Sequence, residues 1–259
     1  MAEKLVTAIL QADLVWEDSA ANLEGFREKI ERLSPEVDLI VLPEMFPTGF
    51  SMKAAALAEP SEGITLQWMR EMALLKDAAV TGSVITEDEG KYYNRLFFVF
   101  PDGSYRTYDK RHTFTLAGEH EVYESGQERL ILIYKGWKIC PLICYDLRFP
   151  VWARNTEDYE LLLYVANWPA VRTLAWDTLL KARAIENLSY CIGVNRVGTD
   201  GNNHPYLGHS AVYDCLGALV STPDFEKEFQ QEVVLSKSHV KETREKLRFL
   251  QDRDTFKIK

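Results

Sequence analysis

The chain is predicted to fold as an α/β protein. Short apolar runs of β character recur along it, segments with helical apolar spacing separate many of them, and 46% of its 259 residues are apolar, enough for one substantial core. Residues 5–12, Leu5-Val-Thr-Ala-Ile-Leu-Gln-Ala12, open as a strand. Over 20–33, Leu23, Phe26, Ile30 and Leu33 recur three and four apart, which predicts a helix with one apolar face. Residues 37–42 read as a buried strand, 64–78 as a helix presenting Leu66, Met69 and Met72 or Ala73, and 80–86 as a further strand. Pro101-Asp-Gly-Ser104 is a turn between β-rich runs at 92–100 and 105–108, which predicts a hairpin. Strands at 137–143 and 161–165, a helix at 174–187 and a strand at 190–195 continue the alternation. A second hairpin is expected from 207–213 and 218–221 around Asp214-Cys-Leu-Gly217, then a strand at 232–235 and a helix at 240–249. Periodicity leaves open whether the strands form one open sheet or two packed ones. Neither a repeat nor a low-complexity linker interrupts the pattern, so 1–259 is expected to be a single domain, ending in a helix and tail from about residue 237.

Composition excludes several classes. A net charge of −9 and a pI near 5.2 argue against a nucleic-acid partner, because binding a phosphate backbone needs a basic surface. No uncharged apolar run reaches the roughly eighteen residues of a membrane span, and Met1-Ala-Glu-Lys-Leu-Val enters a strand-like pattern without a signal-peptide core; a cytoplasmic protein without a membrane partner is expected. Cys140 and Cys144 lie too far apart along an extended strand to share a bond or a metal, whereas Cys191 and Cys215 sit within apolar runs as core thiols. His112, His120, His204, His209 and His239 show no zinc-type spacing, so neither metal nor other cofactor is expected. Gly193-Val-Asn-Arg-Val-Gly198 has P-loop glycine spacing without the Lys-Ser/Thr that must follow, and Arg244-Glu-Lys-Leu-Arg248 reads as a solvated helix face.

Chemistry concentrates in Lys138-Ile-Cys-Pro-Leu-Ile-Cys144-Tyr-Asp-Leu-Arg-Phe-Pro150, where an apolar run delivers a cysteine to a polar break. A cysteine attacks only as thiolate and needs a base or a positive neighbour. Leu39-Ile-Val-Leu-Pro-Glu44-Met-Phe-Pro-Thr-Gly-Phe50 ends a second apolar run on a carboxylate, and Tyr108-Asp-Lys110-Arg-His-Thr-Phe114 sets a lysine after a β-like segment. Taken singly, each has an ordinary explanation: core thiol, solvated loop acid, surface charge.

Together, these segments resemble the nitrilase superfamily of carbon–nitrogen hydrolases, whose Glu-Lys-Cys triad occurs in this order. The words Leu42-Pro-Glu-Met, Asp109-Lys-Arg-His and Cys144-Tyr-Asp-Leu-Arg-Phe-Pro are most similar to the omega-amidase branch, which hydrolyses the terminal amide of 2-oxo acid amides. Val165-Ala-Asn-Trp-Pro169, Lys181-Ala-Arg-Ala-Ile-Glu-Asn187, Val194-Asn-Arg-Val-Gly198 and Gly208-His-Ser-Ala-Val-Tyr-Asp214 extend the resemblance over nearly the whole chain. It implies a four-layer αββα sandwich, two packed mixed sheets flanked by helices, and a homodimer. It also implies Cys144 as nucleophile through a thioester, Glu44 as proton shuttle, and Lys110 as an ammonium that stays charged, holds the oxyanion with the N–H of Tyr145 and biases the cysteine toward thiolate. A second glutamate is expected from Gly118-Glu119-His-Glu121-Val-Tyr-Glu124-Ser-Gly126; Glu119 fits the family spacing better than Glu121 or Glu124, and solvated acid is the competing reading.

An amide substrate carrying a carboxylate needs a cationic contact, which Arg148 or Arg172 would supply. Arg148 has an alternative as partner of Asp146, and Val151 stands where the family often has a glutamate. Phe46, Phe114, Tyr145 and Trp168 are candidate walls of the pocket. Competing readings are another hydrolase of the superfamily, such as a deaminated-glutathione amidase, a carbamoyl-amide hydrolase or a nitrilase; a cysteine–histidine enzyme using His112 or His120; and a non-catalytic binding scaffold.

Overall fold

The structure, a computed structural model, describes residues 3–222 and 226–258; Met1, Ala2 and Lys259, within the expected 1–259 domain, lie outside the described residues. The first half runs β1 (Lys4–Gln11), α1 (Ser19–Glu31), β2 (Leu39–Val41), α2 (Ala54–Leu57), β3 (Glu59–Pro60), α3 (Ile64–Lys76), β4 (Ala79–Asp88), β5 (Lys91–Val99), β6 (Tyr105–Asp109) and α4 (Glu119–Val122). The second runs β7 (Leu132–Tyr134), β8 (Trp137–Ile143), α5 (Pro150–Ala153), β9 (Leu161–Val165), α6 (Thr173–Asn187), β10 (Tyr190–Val194), β11 (Val197–Thr199), β12 (Pro205–Leu207), β13 (Ala211–Tyr213), β14 (Phe229–Ser236) and α7 (Lys237–Leu247).

Two mixed sheets result, one ordered β14-β1-β2-β4-β5-β6 with β3 beside β4, the other β13-β10-β9-β8-β7. Each is parallel at its centre, β1 with β2 with β4 and β8 with β9 with β10, and antiparallel at its edges. Strands buried on both faces read as continuous apolar runs, which is why periodicity could not count the sheets. Side-chain alternation divides the first sheet: Leu5, Ile9, Leu39 and Val41 meet Ile139, Leu142 and Leu163 of the second sheet, whereas Ala8, Leu10 and Ile40 meet helices α1 and α3. Those helices bury Leu23, Phe26, Ile30, Leu66, Met69, Met72 and Ala73, the faces that the spacing predicted. On the far side, α6 lays Trp176 and Leu180 so close to β10 that a Cβ on Gly193 would come 2.4 Å from Leu180. The layers are therefore helix, sheet, sheet, helix, and none of the described helices is long and apolar enough to cross a membrane.

Some expectations need correction. The strand expected at 207–213 is split into β12 and β13, because Gly208 and His209 take consecutive left-handed conformations at φ 74° and 58°. Residues 218–221 form no strand but fold back across the turn at 214–217, with an antiparallel Tyr213–Leu219 bridge and the Val220 N–H donating to the Val212 carbonyl at 2.8 Å. Arg244 is no solvated residue: its Nε donates to the Leu188 carbonyl at 2.8 Å, fastening α7 to the body. Phe46 belongs to the outer core, 5.6 Å from the ring of Phe26 and 5.7 Å from that of Trp68, and does not line the pocket.

Candidate active site

The carboxyl ends of β2, β6, β8, β9 and β10 converge, and the functional side chains follow them, the usual crevice of α/β sheets. Glu44 comes just after β2, where Met45 at φ 42° donates its N–H to Ser83 Oγ at 2.8 Å. Lys110 follows β6, its backbone N–H donating to the Asn94 carbonyl on β5 at 3.0 Å. Cys144 follows β8 at φ 43° and opens a 3₁₀ turn, Cys144–Arg148. A left-handed non-glycine residue costs of order 1–3 kcal/mol and persists only where its surroundings hold it. Here Asp146 does so: it accepts from Ile143 N–H at 3.0 Å, Tyr108 O–H at 2.7 Å and His112 N–H at 3.0 Å, with His112 Nδ1 at 2.7 Å. The turn that carries the cysteine is thus tied to the segment that carries the lysine. Arg183 of α6 supports it from behind, donating to the Leu147 carbonyl at 2.7 Å.

Glu44, Lys110 and Glu119 are at most 1% exposed and form one cluster. Lys110 Nζ lies 2.8 Å from Glu44 Oε1 and 2.9 Å from each Glu119 oxygen. Glu44 Oε1 also accepts from Asn94 Nδ2 at 2.7 Å, and Oε2 from the Asn167 N–H at 2.7 Å. Glu119 begins α4 and also accepts from the Phe114 N–H. Glu121 and Glu124 do not join the cluster: Glu121 lies beside His120, and Glu124 beside Lys91. Burial alone would lower the lysine pKa, but Glu119, Glu44 and Cys144 raise it well above its usual value, so the ammonium persists. Burial, assisted by Glu44, raises Glu119 against the pull of Lys110. The Cys144 thiol is pushed well up by burial, then by Glu44's charge and hydrogen bond, with Lys110 opposing. Burial and Glu44 thus outweigh Lys110 at the sulfur, against the expected bias toward thiolate.

Cys144 is 9% exposed and opens onto a cavity of about 460 Å³, which Lys110 and Asn167 also reach. Phe114, Tyr145, Trp168, Arg148 and Arg172 line it. Arg148 does not pair with Asp146, whose oxygens Tyr108 and His112 occupy; its guanidinium lies 4.9 Å from the Trp168 ring. Arg172 lies 5.0 Å from the Phe114 ring. Neither guanidinium has a carboxylate partner among the described residues. Sequence reasoning missed Phe50, Met52, Asp200, His204 and Tyr206 on the wall, and Asn94 and Asn167 at the cluster. Asn167 stood in a matched word without a role, and Asn94's only signal is an amide inside the apolar run of β5. His112 stacks on Phe149 at 3.7 Å with its Nδ1 on Asp146, His120 is 46% exposed on its side chain, and neither bonds the Cys144 sulfur among the described residues.

A cysteine, two carboxylates and an ammonium buried at the strand ends of an αββα sandwich define a hydrolase of carbon–nitrogen bonds. Comparison with known proteins agrees: the family profile of carbon-nitrogen hydrolases matches residues 6–245, and the chain belongs to that family. It is 46% identical to omega-amidase YafV of Escherichia coli (strain K12) over 98% of both chains, and 31% identical to a 2-oxoglutaramate amidase of Bacillus subtilis (strain 168) over 84% of this chain and 86% of that one. Among solved structures, a CN-hydrolase superfamily protein from Xanthomonas campestris, with an arsenic adduct in its active site, superposes with a TM-score of 0.97 at 42% identity over the whole of both chains. Nit3 of Saccharomyces cerevisiae, a nitrilase superfamily member, gives 0.86 at 25% identity over 95% of each.

Proposed function

We propose that the protein is an omega-amidase, hydrolysing the terminal amide of 2-oxo dicarboxylic acid monoamides such as 2-oxoglutaramate and 2-oxosuccinamate to the 2-oxo acid and ammonia. The observation that carries this reading is the pair of arginines without a carboxylate partner among the described residues, Arg148 and Arg172, lining the same cavity as Cys144 and Lys110, with Glu44 on the lysine behind. Such a cavity suits a molecule with an amide at one end and a carboxylate at the other, which a planar guanidinium holds by paired hydrogen bonds. On the same wall Asp200 Oδ1 accepts from the Asn202 and His204 N–H groups and Oδ2 from Tyr206 O–H.

In this reading Cys144 Sγ attacks the amide carbon while Glu44 takes its proton, which suits a thiol whose pKa burial raises. The Lys110 ammonium, which would turn an N–H from the Glu119 carboxylate it now bridges, and the N–H of Tyr145 in the first turn after the nucleophile receive the oxyanion. Glu44 passes the proton to the nitrogen, the C–N bond breaks, ammonia leaves and a thioester remains. Water then adds to the thioester as Glu44 takes its proton, and collapse releases the acid while the proton returns to sulfur. Glu119 keeps Lys110 charged and aimed.

Residues 1–259 are read as one domain that acts in the cytoplasm, where free thiols such as the four cysteines persist. The chain is read as a homodimer; Leu174 of α6 stands 82% exposed, and Ile185 lies against the turn that carries the exposed Leu216. Sedimentation equilibrium giving a monomer would remove the pairing.

Ammonia release from 2-oxoglutaramate, 2-oxosuccinamate, glutamine, an N-carbamoyl amino acid and a nitrile, by wild type and by Cys144→Ala, tests the activity. Cysteine-dependent turnover concentrated on the 2-oxo amides is expected. Faster release from the nitrile would assign the site to the nitrilase reaction, and equal inactivity of both proteins on every compound would favour a binding scaffold.

A further inference from the structure

We propose that Asn94 is a positioning residue of the catalytic cluster, the neutral donor that holds Glu44 and Glu119 together on Lys110. The inference rests on the amidase reading of Cys144, Glu44 and Lys110. Asn94 is 1% exposed on β5, and its Nδ2 lies 2.7 Å from Glu44 Oε1 and 3.3 Å from Glu119 Oε1. Those are the two oxygens that Lys110 Nζ also contacts, at 2.8 and 2.9 Å. Its main-chain carbonyl accepts the Lys110 N–H at 3.0 Å. One residue therefore touches all three charged groups, from a strand whose register with β4 and β6 is fixed by pairing.

The chemistry of the amide explains the choice. Two carboxylates sharing one ammonium repel each other, and a second donor between them relieves that repulsion without adding a charge that would compete with Lys110. An amide NH₂ has two hydrogens, one for each carboxylate. The reverse orientation would set Oδ1, an acceptor, against two acceptors, so the carboxylates themselves fix which way the amide faces. Glu44 must offer the same oxygens to sulfur, nitrogen and water in turn. Its plane is set by Asn94 and Lys110 on Oε1 and by the Asn167 N–H on Oε2. Without the amide, the base loses one of the contacts that orient it.

The test compares wild type, Asn94→Ala and Asn94→Asp as full chains. The readouts are kcat and KM for the 2-oxo amide across pH, and the rate of Cys144 alkylation by iodoacetamide, followed by intact mass, which requires no turnover. Both variants are expected to lose about a hundredfold in kcat, the usual cost of a misplaced reacting group, with KM within about threefold. The aspartate variant should regain rate as pH falls, because its protonated carboxyl offers an O–H donor; the alanine variant should show no such recovery. Alkylation should be slower in the aspartate variant at neutral pH, since another carboxylate raises the thiol pKa in the sense that Glu44 and Glu119 already do. If both variants melt like wild type and keep kcat within about threefold, or lose it equally at every pH, Asn94 is packing and the proposal fails. Should the aspartate variant not fold, Asn94→Ser replaces it: its hydroxyl donor must leave it faster than the alanine variant, and equality overturns the proposal. If wild type hydrolyses no amide, the functional reading fails while the alkylation arm still reads the effect of Asn94 on the thiol.

Discussion

The inner and outer halves of the cavity are opposite solutions to placing charge in a protein. Inside, Lys110 meets Glu44 and Glu119, and Glu44 meets Asn94 and the Asn167 N–H. Outside, Arg148 and Arg172 lie over aromatic rings with no carboxylate partner among the described residues. Burying an unpaired ion costs several kcal/mol, so the inner groups must be saturated by the protein itself. The outer ones are half-exposed and tolerate waiting for a ligand. A saturated cluster suits holding one geometry, and on the proposed function the unsaturated pair suits binding a carboxylate.

The largest effects should follow from breaking the inner half. Glu44→Gln and Lys110→Met are each expected to lower kcat by about a thousandfold or more, the range for a general base or an oxyanion donor. Their effects on the thiol should have opposite signs, although both abolish turnover. Glu44 raises the Cys144 pKa and Lys110 lowers it, so thiolate absorbance should appear at lower pH in Glu44→Gln than in wild type and at higher pH in Lys110→Met. Shifts in the same direction would mean that the sulfur does not sense the pair as the geometry describes.

Truncating the outer half should act on binding. Arg172→Ala and Arg148→Ala are each expected to raise KM for a 2-oxo amide by about tenfold to a hundredfold, the worth of one charge-assisted hydrogen bond, with kcat nearly unchanged. An uncharged amide such as propionamide should respond little to either change. A fall in kcat with KM unaltered would place that arginine in the chemistry.

The two halves also differed in how much of them could be read beforehand. Glu44, Lys110 and Cys144 each end a strand in a recognisable word, and strand ends are local features of sequence. Glu119 could be preferred over its neighbours by spacing, but its contact with Lys110 depends on the turn that begins α4. Asn94 carries no such word, because its importance arises when β5 lies beside β6 and across from Glu44. The Arg148–Asp146 pairing failed for a related reason: proximity in sequence suggested it, while Tyr108 and His112 reach Asp146 from a distant segment. In the fold, the helix faces of α1 and α3 were legible from spacing alone. The break at Gly208 and His209 was not, since left-handed backbone at a histidine is set by tertiary contacts.

The smallest expected effect separates the halves without a mutation. Salt screens charges that face solvent over a Debye length of about 10 Å at 0.1 M and leaves buried pairs nearly untouched. Arg148 and Arg172 line an open cavity, whereas Glu44, Lys110 and Glu119 are at most 1% exposed. Raising sodium chloride from about 0.05 to about 0.5 M should therefore raise KM for 2-oxoglutaramate a few-fold and leave kcat within error. In an Arg148→Ala, Arg172→Ala double variant most of that salt dependence should vanish, because the charges being screened are gone. If instead kcat falls with salt in wild type, the inner cluster is reached by ions during turnover, and the division between a sealed reacting end and an open binding end is wrong.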